Sequence, residues 1–302
     1  MARLFGAHGN GTLRRDADGR AGLRSIVGAD PGSETVSRSD ETDRDGGTIR
    51  LFGLPLTCTP SIDDAVRMVR DGVIRRPAAA LLVTFANPLA VGLFNADPSY
   101  RSDLRRMGAV FCDGIALAWA VRRLAGYPMA RVSFDSTGMA PSVFALAERH
   151  GRRVALIGGR RGVAQAASRQ LRDRFPRLDI VATIDGYGKL DRHLRTILAV
   201  DPDLLVCGMG APRQEEFLAT LANAGWCGTG FTCGGYLDHL VGGFDFYPET
   251  IDRLNLRWLY RMSREPKRIG YRCTVEYAPF WKALAAALVS RALIAQRRNG
   301  QS

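Results

Sequence analysis

Asp113 is a residue whose position could do chemistry. It stands between the apolar Ala109–Cys112 and the apolar Ile115–Leu124, with Gly114 directly after it. A carboxylate at the end of a strand can take a proton as a general base, and a glycine beside it lets a substrate approach the backbone. The same position suits a helix cap, and an Asp-Gly pair alone does not choose between the two. Glycine-rich turns suggest a second chemistry. Gly158-Gly159-Arg160-Arg161-Gly162 lacks the G-x-G-x-x-G spacing of a dinucleotide fingerprint. It does combine helix N-terminal N–H groups with two guanidinium groups, which suits a diphosphate; its plain alternative is a tight strand-to-helix turn. Gly208-Met-Gly-Ala-Pro-Arg-Gln-Glu-Glu216 follows the same logic. There Arg213 and Gln214 are placed to meet a ligand, whereas Glu215 and Glu216 read as first-turn acids that suit the helix dipole. Gly234-Gly235 ends a further strand; His239 in the glycine-rich stretch after it is open to a catalytic reading, but reads first as a surface histidine.

The elements that position these residues alternate. Short apolar runs predict strands at 79–85, 109–112, 153–157, 178–183, 203–207 and 228–232, preceded by one over 48–56. Helical spacing is found at 61–75, 97–107, 115–124, 136–150, 162–175, 190–200 and 212–222. This order predicts an α/β fold, a Rossmann-like parallel sheet with helices on both faces. Ligands of such sheets bind outside the carboxyl ends of the strands. Thr84, Asn87, Asp113 and the glycine turns all fall at that edge.

The 302 residues carry a net charge of +12, with 46% hydrophobic residues. A wholly disordered chain or a collagen is excluded by that balance. There is no run of 18 apolar residues for a membrane span, and Met1–Gly11 lacks the apolar core of a secretory signal. Six scattered cysteines without a CxxC pair read as reduced thiols, and the four histidines show no zinc-ligand spacing. The charge is uneven. Residues 1–49 hold 7 basic and 8 acidic residues, 50–252 hold 24 and 20, and 253–302 hold 11 and 2. The first 49 residues, polar and poor in aromatics, are expected to be a disordered tail. Over 251–264, Arg253, Arg257, Arg261 and Arg264 fall within an arc of about 80°, with Ile251, Leu254, Trp258, Leu259 and Met262 on another. That is a basic amphipathic helix facing phosphate or membrane, or else a solvated surface. Lys267, Arg268 and Arg272 extend it, and an apolar helix over 277–296 has three possible seats: the membrane, the rest of the chain or a second subunit.

Eight segments then stand in a recognisable order: Thr84-Phe-Ala-Asn-Pro88, Phe111-Cys-Asp-Gly-Ile115, Arg131-Val-Ser-Phe-Asp135, Leu156-Ile-Gly-Gly159, Asp185-Gly-Tyr187, Gly208 to Glu215, Gly234-Gly-Tyr-Leu-Asp238 and Trp258-Leu-Tyr-Arg-Met262 with Glu265-Pro-Lys-Arg268. Across about 50–275 the chain resembles the bacterial WecG/TagA/CpsF glycosyltransferases, glycosyltransferase family 26. The resemblance implies an inverting transferase with no metal or other cofactor. It would move a sugar from a UDP-sugar donor to a polyprenyl-diphosphate-linked saccharide in exopolysaccharide or envelope glycan assembly. By that resemblance Asp113 is the general base, Thr84 and Asn87 line the acceptor pocket, and Gln214 contacts substrate. Arg131, Asp135, Gly158, Gly159, Tyr187, Gly208, Gly210, Gly235 and Asp238 complete the implied substrate site. The expected organisation is a tail over 1–49, a glycosyltransferase domain over 50–250 and a basic appendage over 251–302. The appendage would dock on an anionic membrane surface, the inner face of the cell membrane, and supply Arg253, Arg257, Arg261, Arg264 and Arg268 to the lipid and diphosphate. A homo-oligomer is left open. Two departures, Phe246-Tyr247-Pro248 and Leu256-Arg257-Trp258, bear on which sugar is moved. The rival is a non-catalytic nucleotide- or nucleic-acid-binding protein using the basic C-terminus; nucleic acid is not expected, because that tract carries no recognised motif and its aromatics sit on the apolar arc. A nicotinamide-type oxidoreductase is weaker still, because the glycine spacing is wrong.

Overall fold

The structure, a computed structural model, describes residues 36–38, 47–244, 250–251 and 256–299. It opens with a small antiparallel sheet of β1 (Val36–Arg38), β2 (Thr48–Leu51) and β3 (Leu54–Thr57). The single strand predicted over 48–56 is thus a hairpin. Leu51 pairs with Leu54 across Phe52-Gly53, both at positive φ (52° and 83°), the backbone that a two-residue hairpin turn demands. Of the tail expected over 1–49, Val36–Arg38 pairs with β2, and Thr48 and Ile49 belong to β2. The rest, apart from Gly47, lies outside the described residues.

The main sheet has six parallel strands: β4 (Leu81–Ala86), β5 (Ala109–Cys112), β6 (Arg153–Gly158), β7 (Asp179–Ile184), β8 (Leu204–Gly208) and β9 (Thr229–Thr232). Their order across the sheet is β5-β4-β9-β8-β6-β7. Alternate residues feed two cores, as a pleated strand buried on both faces must. Ala155, Ile157, Leu205 and Cys207 enter one cluster, and Val154, Leu156, Leu204 and Val206 the other. The first core is closed by α2 (Pro88–Ala96), α4 (Ile115–Ala125) and α8 (Arg213–Asn223), the second by α1 (Ile62–Ile74), α5 (Ala140–Arg149), α6 (Val163–Arg174) and α9 (Tyr236–Val241). The expected Rossmann-like architecture is therefore the observed one. Also present are α3 (Pro98–Leu104) and α7 (Leu190–Val200).

Two helices around the sheet were absent from the sequence reading, as was the helix over 266–271 described below. Helix α2 carries a full start signal: Asn87 accepts from Leu89 N (3.0 Å) and Pro88 occupies the first turn. Helix α9 is six residues long and was hidden by the glycines around it. Helix α5 begins four residues later than predicted, because Asp135 Oδ1 accepts from the backbone and hydroxyl of Thr137 (3.1 Å each) and holds 135–137 in a turn.

At the C-terminus α10 (Arg257–Arg264), α11 (Pro266–Tyr271), a π-helical turn (Arg272–Glu276) and α12 (Ala278–Asn299) follow one another. Helix α12 takes the second of its three expected seats: it docks on the protein. Phe280, Leu284 and Ala287 are buried, Pro279 meets α2 at Gly92, and Phe280 packs edge-on against Phe52 (6.1 Å). Arg291 donates to the Arg123 carbonyl at the end of α4 (2.7 Å). Among the described residues no helix is long and apolar enough to cross a membrane.

Candidate active site

A cleft of about 280 Å³ opens at the carboxyl edge of the sheet, and its walls come from the ends or following loops of all six strands. It can be open there because the strand ends are glycine. A Cβ on Gly158 would lie 2.6 Å from the Gly208 carbonyl oxygen, and one on Gly208 would lie 2.8 Å from that of Gly234. Side chains are excluded where β6, β8 and the loop after β9 touch, so the edge is backbone alone. Gly186 N donates to Gly159 O (2.8 Å) and continues this seam to the loop after β7.

Asp113 is seated by its own backbone. Its N–H donates to Ala86 O (2.7 Å), which extends the β4–β5 pairing by one residue. Gly114 then takes φ +85° as the N-cap of α4. The cap position of this helix therefore belongs to Gly114, and Asp113 is left half-buried on the cleft wall. The opposing loop is held by an aromatic anchor. Phe134 stacks on Phe231 (5.0 Å) and meets Phe85, Phe144 and Tyr236. Ser133 and Asp135 on either side of it line the cleft.

Asn87, Asp113, Asp135, Gly159, Tyr187, Gly208, Gly210, Gln214, Gly235, Asp238 and Arg268 line one cleft. Thr84 and Gly158 sit beneath it: Gly158 is the strand contact just described, and Thr84 is buried (1% exposed). Thr84 was expected to line the acceptor pocket; it holds Glu215 instead. Arg131 is not among the lining residues. Its segment runs beside β5, with Val132 N donating to Cys112 O (2.8 Å). Arg253, and the side chains of Arg257 and Arg261, lie outside the described residues. Arg264 is exposed, with its guanidinium over the Tyr260 ring (5.1 Å). Arg160 and Arg161, for which a diphosphate contact and a plain tight turn were both open, are exposed and do not line the cleft.

Several lining residues escaped the sequence reading. Glu215 is not a solvated first-turn acid; it is 1% exposed. Its Oε1 accepts from Thr84 Oγ1 (2.8 Å) and Gln214 Nε2 (3.0 Å). Thr84 Oγ1 also meets Thr232 Oγ1 (2.9 Å). Gln214 Oε1 accepts from Gly234 N (3.1 Å), which ties the start of α8 to the loop after β9. Burial pushes the Glu215 carboxyl up to about 7, against the pull of these donors. His239 also lines the cleft, Arg213 does so as its spacing suggested, and Arg272 joins Arg268 on its walls. Arg272 also pairs with Glu276 (3.1 Å). The C-terminal elements thus complete the site. The start, end and hydrophobic spacing of α11 give no sign of that inward role, because it depends on where the chain returns in space.

The cleft combines a half-buried carboxylate at a strand end, backbone glycines, and arginines from two separate segments. That suits transfer of a group from a leaving diphosphate. The family comparison agrees. Residues 49–293 match the model of the glycosyl transferase WecG/TagA/CpsF family, and the chain belongs to that family. It is similar to the UDP-Gal:alpha-D-GlcNAc-diphosphoundecaprenol beta-1,4-galactosyltransferase of Shigella boydii, 29% identical over 202 residues, which are 66% of this chain and 83% of the relative. It is also similar to the N-acetylglucosaminyldiphosphoundecaprenol N-acetyl-beta-D-mannosaminyltransferase of Staphylococcus aureus (strain MW2), 28% identical over 192 residues, 63% of this chain and 74% of the relative. The protein is a glycosyltransferase, and the non-catalytic alternative gives way to that.

Proposed function

We propose that the chain moves a sugar from a UDP-sugar to a polyprenyl-diphosphate-linked saccharide in envelope glycan assembly, with inversion and without a metal. The observation that carries this is the meeting of Asp113 with Arg213, Arg268 and Arg272 around one carboxyl-edge cleft. Asp113 is the general base. As the acceptor oxygen bonds to the anomeric carbon, its hydroxyl proton passes to the Asp113 carboxylate. The bond from that carbon to the diphosphate oxygen breaks, and UDP leaves with the electron pair. A single displacement of this kind inverts the anomeric centre. Negative charge grows on the departing diphosphate, and the three guanidinium groups oppose it. Tyr187, an exposed ring at the rim (63%), offers the uracil a stacking platform. The relatives named above act on UDP-Gal or on GlcNAc-diphosphoundecaprenol-type acceptors, which supports the substrate class.

A lipid-linked acceptor requires the cleft to reach a bilayer surface. The C-terminal elements carry exposed Leu259, Tyr271, Val275 and Trp281 beside Arg264 and Lys267. We read them as a peripheral docking face on the cytoplasmic leaflet. The test is a panel of UDP-sugars with a short-chain polyprenyl-diphosphate GlcNAc acceptor, read by mass spectrometry with and without EDTA. One donor is expected to give a disaccharide product at an EDTA-insensitive rate; no product from any donor, or strict Mg²⁺ dependence, contradicts the reading.

A further inference from the structure

The reaction above leaves Glu215 without a task, although the residue lines the cleft and is almost wholly buried. Its Oε1 takes two side-chain donors, whereas its Oε2 has no hydrogen-bond partner among the described residues. A buried acceptor left unpaired costs about 1–3 kcal/mol, more when charged. The packing of α8 does not call for it, because Phe217, Leu218 and Leu221 already seat the helix.

We propose that Glu215 is a specificity-determining residue, its Oε2 accepting a hydrogen bond from a hydroxyl of the sugar seated at the cleft floor. This rests on reading the cleft as a sugar-transfer site. The direction of the surrounding bonds supports it. Gly234 N–H fixes the Gln214 amide with its oxygen outward to Gly234 and its NH₂ toward Glu215. The Thr84 hydroxyl donates to the same Glu215 oxygen. Donors therefore converge on Oε1 and leave Oε2 for a ligand. A neutral hydroxyl is the fitting partner, since a carboxylate repels phosphate. Ser133, on the facing loop, also lines the cleft and has a buried Oγ without a partner among the described residues, as a polyhydroxylated ligand would want. A site built to hydrogen-bond a hydroxyl rejects analogues that lack it more strongly than an apolar pocket rejects a missing methylene.

The direct test is Glu215→Gln in the full chain. The Gln214 NH₂ still needs an acceptor, so the new amide oxygen takes the Oε1 position and its NH₂ replaces Oε2. An acceptor becomes a donor while the Thr84 and Gln214 bonds survive. Transfer is measured with whichever of UDP-galactose and UDP-N-acetylmannosamine the wild type uses, against monodeoxy analogues of donor and acceptor; UDP binding is measured alongside. Expected are a kcat/KM at least about tenfold lower, UDP affinity within about twofold of wild type, and one monodeoxy analogue that costs the wild type about tenfold but costs the variant nothing further. Glu215→Asp, which keeps the charge and withdraws the carboxylate by one carbon, should lose the same discrimination, and it carries the test if the Gln variant does not fold. Unchanged selectivity across the monodeoxy series in these variants overturns the assignment of Glu215 alone. No transfer by the wild type from any UDP-sugar overturns the functional reading and this inference with it.

Discussion

At Glu215 stability and function pull in opposite directions, and the conflict is measurable. Burial raises its carboxyl from an ordinary 4.5 to about 7. The folded protein therefore binds more protons than the unfolded chain between those values, and stability must fall as pH rises through that window. Glu215→Gln removes the effect. Relative to wild type, the variant is expected to gain on the order of 3 kcal/mol between pH 4 and pH 8, most of it across pH 5–7. Thermal melts of both proteins across that range check this; a difference that does not change with pH contradicts it. Tyr187→Ala, which strips the rim platform, is expected to weaken UDP binding by about 1–3 kcal/mol with little effect on melting; unchanged UDP affinity would remove the ring from the site. Residue by residue, the sequence exposed what local pattern can carry. Asp113, Gly159, Gly208 and Gly235 were legible because they sit where apolar runs end. Glu215 was not, because a first-turn acid looks the same whether solvent or Thr84 faces it. Thr84 itself was assigned to the ligand, because only the β4–β9 pairing brings it to Thr232 and to α8.

The elements explain why the cleft is open. The seam of Gly158, Gly208 and Gly234 lets neighbouring strands end together with no side chain over them. Gly158→Ala would place a methyl group 2.6 Å from the Gly208 carbonyl oxygen, where backbone must move. A destabilisation of about 1–3 kcal/mol is expected, with weaker UDP binding; denaturant melts showing no change would mean that the seam is not tight. Helix α12 is the other element whose packing matters to the site, because the chain passes from it back through the π-helical turn to Arg272 and Arg268. Phe280→Ala, at a side chain with no exposure, should cost about 3–5 kcal/mol. Most strands and helices were legible from period and glycine punctuation, which are local. The hairpin at Phe52-Gly53 was missed, because its apolar residues run through the turn without a polar break. The seat of α12 was left open for a related reason: an apolar helix does not announce which surface covers it.

For the whole molecule the uneven charge becomes a statement about approach. The last 50 residues hold 11 basic and 2 acidic residues, and this segment turns Arg268 and Arg272 into the cleft while Arg264 and Lys267 are exposed. On the proposed reading, one segment serves both the diphosphate and the surface that presents it. Binding to vesicles with anionic lipid should exceed binding to neutral ones and fall as salt rises past about 0.15 M, where charges more than about 8 Å apart are screened; equal binding to both in flotation would contradict the docking face. The central claim is that this cleft performs glycosyl transfer with Asp113 as its base. Its most direct measurement is the transfer rate of the full chain and of Asp113→Asn on an acceptor embedded in anionic vesicles, with UDP binding as a control for the fold. The account predicts sugar transfer by the wild type and a variant at least about a hundredfold slower that still binds UDP. A folded Asp113→Asn protein turning over at near the wild-type rate would contradict it.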